Sequence, residues 1–144
     1  MMKSCFFIGH RDAPAEIFPA IVEAVEDHII TYAVTEFTVG NYGSFDRMAA
    51  RAVIDAKKKY PQITLSLLIP YHPAERAVEL PLGFDNLFYP PQMEHVPRRL
   101  AIVRANNYML AHVDHLIAYA PYPGNARKLV EQADKKRTIL VTKL

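Results

Sequence analysis

The sequence predicts an α/β protein in three layers, with a doubly wound, mostly parallel sheet of five strands. Two observations support this prediction: short apolar runs alternate with amphipathic helical stretches, and the first two apolar runs each stop at a glycine. Strands that alternate with helices favour a parallel sheet, because a crossover between parallel strands needs a helix-sized connection. Right-handed crossovers then predict the strand order 3-2-1-4-5.

The strands are predicted from apolar and β-branched runs, and the helices from apolar residues at helical spacing. The predicted strands are Lys3–Ile8, Thr35–Val39, Ile63–Ile69, His115–Ala120 and Thr138–Thr142. The helices are expected over residues 16–29, 44–58, 97–112 and 126–135. In the third helix, Leu100, Val103 and Leu110 are expected to face the core.

The connection over residues 70–95 departs from this regular alternation. It contains five prolines, with Tyr71, Phe84, Phe88 and Tyr89 between them. Long irregular connections are uncommon in compact domains and tend to be functional. The aromatic residues indicate that this Pro/aromatic-rich loop after the third strand packs down as a lid over a site.

Composition and length limit the class of protein. A chain of 144 residues can bury a sufficient core, so one domain over residues 1–144 is expected. Hydrophobic residues make up 51% and charged residues 22%, as in soluble globular proteins. No apolar window approaches the ~20 residues of a membrane span, and the N-terminus lacks a secretory pattern. With Cys5 as the single cysteine, no internal disulfide can form, and the sequence predicts a cytoplasmic protein without a membrane partner.

The formal net charge of +2 is too small to predict an acidic partner. The basic runs at residues 57–59 and 135–137 fall at the ends of predicted helices, where cations complement the helix dipole. A nucleic-acid partner is therefore not predicted.

Two turns after predicted strands carry the features of an anion site. Gly9, His10 and Arg11 follow the first strand, and the segment 40–46 follows the second and contains Gly40, Asn41, Gly43 and Asp46. Glycine allows an anion to approach the backbone closely, and the helix that follows turns its free N–H groups toward the anion. Arginine binds phosphate through a planar guanidinium, and histidine donates or titrates near neutrality. The alternative is an ordinary strand-to-helix turn that needs glycine for its geometry.

The predicted strand order places a third turn beside these two. Residues 119–125, with Tyr119, Gly124 and Asn125, leave the fourth strand and face the first turn across the point where the chain reverses. The remaining histidines show no metal-ligand spacing, so no metal and no cofactor are predicted. The sequence therefore predicts a small-molecule site, with Tyr119, Gly124 and Asn125 among its ligand-binding residues.

Three further polar residues are candidates with open alternatives. Arg104 lies in mid-helix, where an arginine either extends to solvent or enters a polar pocket. Glu75 and Arg76 begin the long loop, where they either pair with each other or, in the case of Arg76, bind an anion. A catalytic role is unassigned; the candidates are Asp46, Glu75 and Arg104.

Four blocks in this chain resemble a known family. The blocks, in the family's order, are Phe6-Phe7-Ile8-Gly9-His10-Arg11-Asp12, Val39-Gly40-x-x-Gly43-x-Phe45-Asp46, Pro70-Tyr71-His72-Pro73-x-Glu75-Arg76 and Arg104-x-Asn106-x-x-Met109. They resemble the YpsA-like branch of the SLOG superfamily, which includes the LOG phosphoribohydrolases and the Smf/DprA proteins. The resemblance spans nearly the whole chain. It implies a Rossmann-like domain that binds nucleotides or their derivatives, often as a homodimer.

The chain departs from the LOG enzymes after the fourth strand. Those enzymes carry Pro-Gly-Gly-x-Gly-Thr-x-x-Glu there, with a glutamate that takes part in breaking the N-glycosidic bond. Here Gly124 is the single glycine of residues 120–127, and no glutamate stands at the corresponding position. Nucleotide binding, with a possible sensing role, is therefore the leading expectation. The alternatives are a nucleoside-monophosphate N-glycosidase and a DprA-like binder of single-stranded DNA.

Overall fold

The computed structural model describes residues 2–144 and confirms the predicted α/β architecture. The strands are β1 (Lys3–Gly9), β2 (Val34–Val39), β3 (Thr64–Leu68), β4 (Asn86–Phe88), β5 (His115–Tyr119) and β6 (Leu140–Lys143). The helices are α1 (Phe18–Ile30), α2 (Ser44–Lys59), α3 (Ala101–His112) and α4 (Asn125–Lys135). Across residues 2–144, every helix is too short or too polar to cross a bilayer.

The sheet has one strand more than predicted. Six parallel strands follow the order β4-β3-β2-β1-β5-β6, which retains the predicted order because β5 and β6 are the fourth and fifth predicted strands. The additional strand, β4, lies inside the segment predicted to be irregular and pairs with β3 at the edge of the sheet. Its three residues, close to prolines, carry too short a pattern to be distinguished from a loop.

The central strand β1 supplies side chains to both faces of the sheet. Cys5 and Phe7 pack in the apolar cluster beneath α1 and α2, whereas Phe6 and Ile8 pack beneath α3 and α4, as strand alternation requires. Burial raises the pKa of the Cys5 thiol well above its ordinary range. The thiol is therefore neutral, as expected for a structural cysteine rather than a nucleophile.

Two helices begin later than predicted, because each is preceded by a 3₁₀ turn. Ala15–Ile17 forms such a turn before α1, and Pro19 then lies in the first turn of the helix, where its missing N–H has no helical partner to lose. Arg98–Leu100 forms the second turn, so α3 begins at Ala101 rather than at Pro97.

The inward face of α3 also differs from the prediction. Leu110 is buried as expected, but Leu100 and Val103 are 42% and 52% exposed. The core face instead carries Ala105 and Met109, together with Leu110. The prediction counted Leu100 as part of α3, but it belongs to the preceding 3₁₀ turn. The inward face was therefore assigned to the wrong set of residues.

A buried histidine pair lies away from the carboxyl edge of the sheet. His28 on α1 and His115 at the start of β5 have their rings 5.2 Å apart, and Tyr32 contacts both. The His28 Nδ1 lies 2.6 Å from the Ala24 carbonyl oxygen, whereas the buried His115 Nδ1 has no hydrogen-bond partner in the described chain. Burial lowers the pKa of both imidazoles.

This pair predicts a loss of stability at acidic pH. Histidines with a folded-state pKa below the ordinary value bind protons more readily in the unfolded chain, so the free energy of unfolding decreases as the pH falls below about 6.5. His115→Phe, which keeps a flat ring of similar size, is expected to reduce this decrease in urea titrations between pH 8 and pH 5. The exposed His95→Gln is the control and should follow the parent. An equal decrease in His115→Phe would contradict the assignment.

Candidate ligand-binding site

A cavity of about 270 Å³, here called the β1 cavity, opens at the carboxyl edge of the central strands. It lies where the chain reverses between β1 and β5, which is where open α/β sheets hold their ligands. The end of β1 forms its floor, and the first turns of three helices surround it. The lining residues are Phe6, Phe7, Ile8, Gly9, His10, Arg11, Gly40, Tyr42, Asp46, Ile102, Val103, Asn106, Asn125, Ala126 and Leu129.

Half of the predicted ligand-binding residues line this cavity. The three turns predicted to converge do so, and the members that line the cavity are Gly9, His10, Arg11, Gly40, Asp46 and Asn125. Tyr119 lies directly behind them, since its carbonyl oxygen accepts the His10 backbone N–H at 3.1 Å. Gly124 faces the same histidine: a Cβ placed on it would lie 3.7 Å from His10 Cε1.

Several predicted residues lie elsewhere. Arg104 is exposed and does not line the β1 cavity, because the neighbouring Val103 and Asn106 occupy that side of α3. Glu75 forms an ion pair with Arg98 at 2.7 Å rather than with Arg76. None of residues 71–95, all of which the structure describes, lines the β1 cavity, so the predicted lid borders it without closing over it.

Two of the predicted glycines are required for packing rather than for anion approach. A Cβ on Gly9 would lie 2.2 Å from Cγ of the buried Phe45, and a Cβ on Gly43 would lie 2.4 Å from Cα of Arg11. Ser44 ties the same two turns together, since its backbone N–H and hydroxyl both donate to the Arg11 carbonyl oxygen. Gly9 and Gly43 therefore hold the turns after β1 and β2 against each other.

His10 is the most constrained polar side chain of the site. It is 7% exposed, and its ring stacks on Tyr122 with centroids 3.8 Å apart and planes 5° apart. The Tyr122 hydroxyl donates a short hydrogen bond to Asp12. The buried Nε2 of His10 has no hydrogen-bond partner among residues 2–144. An unpartnered buried nitrogen is costly, so this atom calls for a partner supplied from outside the chain.

Asp46 is a buried carboxylate on the opposite side of the cavity. It lies in the first turn of α2 and accepts the Tyr42 backbone N–H at 3.0 Å. Burial raises its pKa to about 6, although this hydrogen bond and the charges of Arg11 and Arg47 oppose the shift. Burial and the Asp46 charge also raise the pKa of Tyr42 to about 12, so its phenol stays protonated at neutral pH.

The amino end of α4 forms the wall beside His10. Gly124 precedes the helix, and no side chain caps its first N–H groups. Asn125 and Ala126 line the cavity there. Arg127 donates to the carbonyl oxygens of Ala120 and Pro121, so its guanidinium fixes the preceding turn. The helix thus presents free backbone donors on a fixed turn, the arrangement that binds phosphate groups.

Three polar side chains of the site were not among the named candidates, although two of them, Tyr42 and Tyr122, lie within the predicted turns. Tyr122 stacks on His10, Tyr42 separates the β1 cavity from a neighbouring one, and Asn106 reaches the cavity from α3. Asn106 could have been found from its spacing, because it lies four residues after Ile102 and therefore on the same face of the helix.

The fold and the position of the cavity define a Rossmann-like α/β protein with a crevice at the carboxyl edge of its central strands. A scan against protein-family models and a search of curated proteins both find no match to this chain. In residues 2–144, no three His, Cys, Asp or Glu side chains are grouped as metal ligands.

Proposed function

We propose that this chain is a nucleotide-binding domain of the SLOG type, which holds a nucleotide or nucleotide derivative in the β1 cavity. The observation that carries the proposal is the unpartnered Nε2 of the buried His10, beside the uncapped amino end of α4. An anion at this position would satisfy both the imidazole and the free backbone donors.

The other lining residues suit the remainder of such a ligand. Arg11 is exposed at the rim and supplies a positive charge for phosphate. On the far side, the Asp46 carboxylate lines the cavity and would accept hydrogen bonds from sugar hydroxyls. Ile102 and Leu129 provide apolar contact between these polar ends. The homodimer implied by the resemblance stays a prediction.

The proposal is tested with His10→Phe. Phenylalanine keeps a flat ring against Tyr122 but has no ring nitrogen. We expect the parent to bind ribonucleoside 5′-monophosphates, and His10→Phe to bind them about tenfold or more weakly, the range for losing a hydrogen bond to a charged group. Isothermal titration with inorganic phosphate and the four monophosphates measures the change.

The control is His95→Phe, because His95 is exposed and lines neither the β1 cavity nor the neighbouring cavity beyond Tyr42. It should bind as the parent does, and thermal melting should show both variants folded. The proposal fails if the parent binds none of these ligands, or if folded His10→Phe binds them as tightly as the parent.

A second candidate function is N-glycosidic cleavage of a nucleoside monophosphate, favoured by Asp46. A buried carboxylate with a pKa of about 6 in a cleft is typical of catalytic acids and bases. The same mixtures, analysed by chromatography for free base, distinguish binding from cleavage. Base released by the parent and not by Asp46→Asn would support the enzyme, whereas intact nucleotide would support binding alone.

A further inference from the structure

A second, smaller cavity adjoins the β1 cavity across the ring of Tyr42. It has a volume of about 200 Å³ and is here called the Tyr71 cavity. Tyr42 lines both cavities, so the two are neighbours along the carboxyl edge of the sheet. The lining residues of the Tyr71 cavity are Asn41, Tyr42, Leu67, Leu68, Ile69, Pro70, Tyr71, Arg76 and Val78.

The Tyr71 cavity has the chemistry of a pocket for a flat ring. Its walls contain the two tyrosine rings, and the guanidinium of Arg76 lies 5.1 Å from the centre of the Tyr71 ring. Arg98 lies 4.9 Å from the same ring and pairs with Glu75. Arg76 takes part in none of the ion pairs of the described chain, so no carboxylate there neutralises its charge.

The polar groups of this cavity match the edge of a heteroaromatic ring. Asn41 is exposed and offers an amide donor beside an amide acceptor, which is the pattern of a nucleobase edge. The protonated phenol of Tyr42 adds a further donor. Arginine and tyrosine both stack on bases in nucleic-acid sites that read flat rings.

From this arrangement we infer that the ligand lies across Tyr42, with its phosphate in the β1 cavity and its base in the Tyr71 cavity against Tyr71 and Arg76. The inference rests on the proposed function, since it assigns the two ends of one nucleotide to two cavities. It also assigns a role to the loop that begins at Pro70, because this loop would hold the base rather than cover the phosphate.

The test compares two ligands on the folded chain: ribose 5-phosphate, which lacks a base, and the four ribonucleoside 5′-monophosphates. We expect Arg76→Ala to weaken the tightest monophosphate about tenfold, as loss of a partly desolvated cation–π contact predicts, and to leave ribose 5-phosphate unchanged. Asn41→Ala should show the same selectivity with a smaller loss. His10→Phe, in contrast, should weaken both ligands.

The matched control is Arg99→Ala, because Arg99 is an exposed arginine outside both cavities and should have no effect. Arg76 and Asn41 are exposed, so their variants are expected to fold, which circular dichroism verifies. The inference alone is overturned if the parent binds a monophosphate and Arg76→Ala and Asn41→Ala bind it unchanged, or if ribose 5-phosphate binds equally well. A parent that binds neither ligand overturns the proposed function together with it.

Discussion

Gly9→Ala is expected to lower the free energy of unfolding by about 3 kcal/mol, the upper range for overpacking a buried site. The new methyl group would lie 2.2 Å from Cγ and 2.4 Å from Cδ2 of Phe45, which is fully buried. Gly9 cannot retreat easily, because β1 pairs with Tyr119 of β5 at this position. Urea denaturation at pH 7 measures the loss.

A double-mutant cycle identifies the cause of this loss. Phe45→Ala removes the two closest ring atoms but leaves a cavity in the core, so it destabilises the protein on its own. In the double variant, the destabilisation should be clearly less than the sum of the two single effects, because the methyl group added at Gly9 would occupy part of the vacated space. Strict additivity would show that the clash is not the cause.

Asp46→Asn is expected to raise the free energy of unfolding at pH 8 by about 2 kcal/mol, with roughly half of this gain at pH 5 and little change below about pH 4. The pKa of about 6 in the folded protein exceeds that of an unfolded aspartate, so the folded state holds the proton more tightly. The contribution of Asp46 to stability is therefore largest in acid and is lost as the pH rises from about 4 through 6, opposite in sign to that of the histidine pair. Asparagine has no such titration, and its amide oxygen can still accept the Tyr42 N–H.

The control for this prediction is Asp55→Asn on the same helix. Asp55 is exposed and its contact with Lys58 is 3.8 Å long, so the change should alter stability by less than about 0.5 kcal/mol at either pH. An Asp46→Asn protein with the same pH dependence as the parent would contradict the buried charge. If the prediction holds, the chain retains at Asp46 a carboxylate that weakens its fold at neutral pH, as expected of a residue kept for binding or catalysis.

The sequence was a sufficient guide to where the three turns meet at the β1 cavity, but not to the contacts within it. An apolar run that stops at Gly9 or Gly40 marks the carboxyl end of a strand, and parallel order brings such ends together. The role of a glycine is not visible in the same pattern, since Gly9 and Gly43 turn out to face Phe45 and Arg11. Contact with a distant side chain decides that role.

Contacts between distant turns also explain what was missed. His10 and Tyr122 are more than a hundred positions apart, and their stacking depends on the conformations of two loops. Neither conformation follows from local propensity. The strand β4 was missed for a local reason, because an element of three residues has almost no periodic pattern of apolar residues.

The stacked rings of His10 and Tyr122, together with the hydrogen bond from Tyr122 to Asp12, join the turns after β1 and β5 in the ligand-free protein. Ordering these loops therefore costs conformational entropy during folding and not during association. A preformed site of this kind favours rigid docking of a small molecule over capture by closing loops. Tyr122 and Asp12 would then support the affinity without contacting the ligand, because they hold the His10 ring in place.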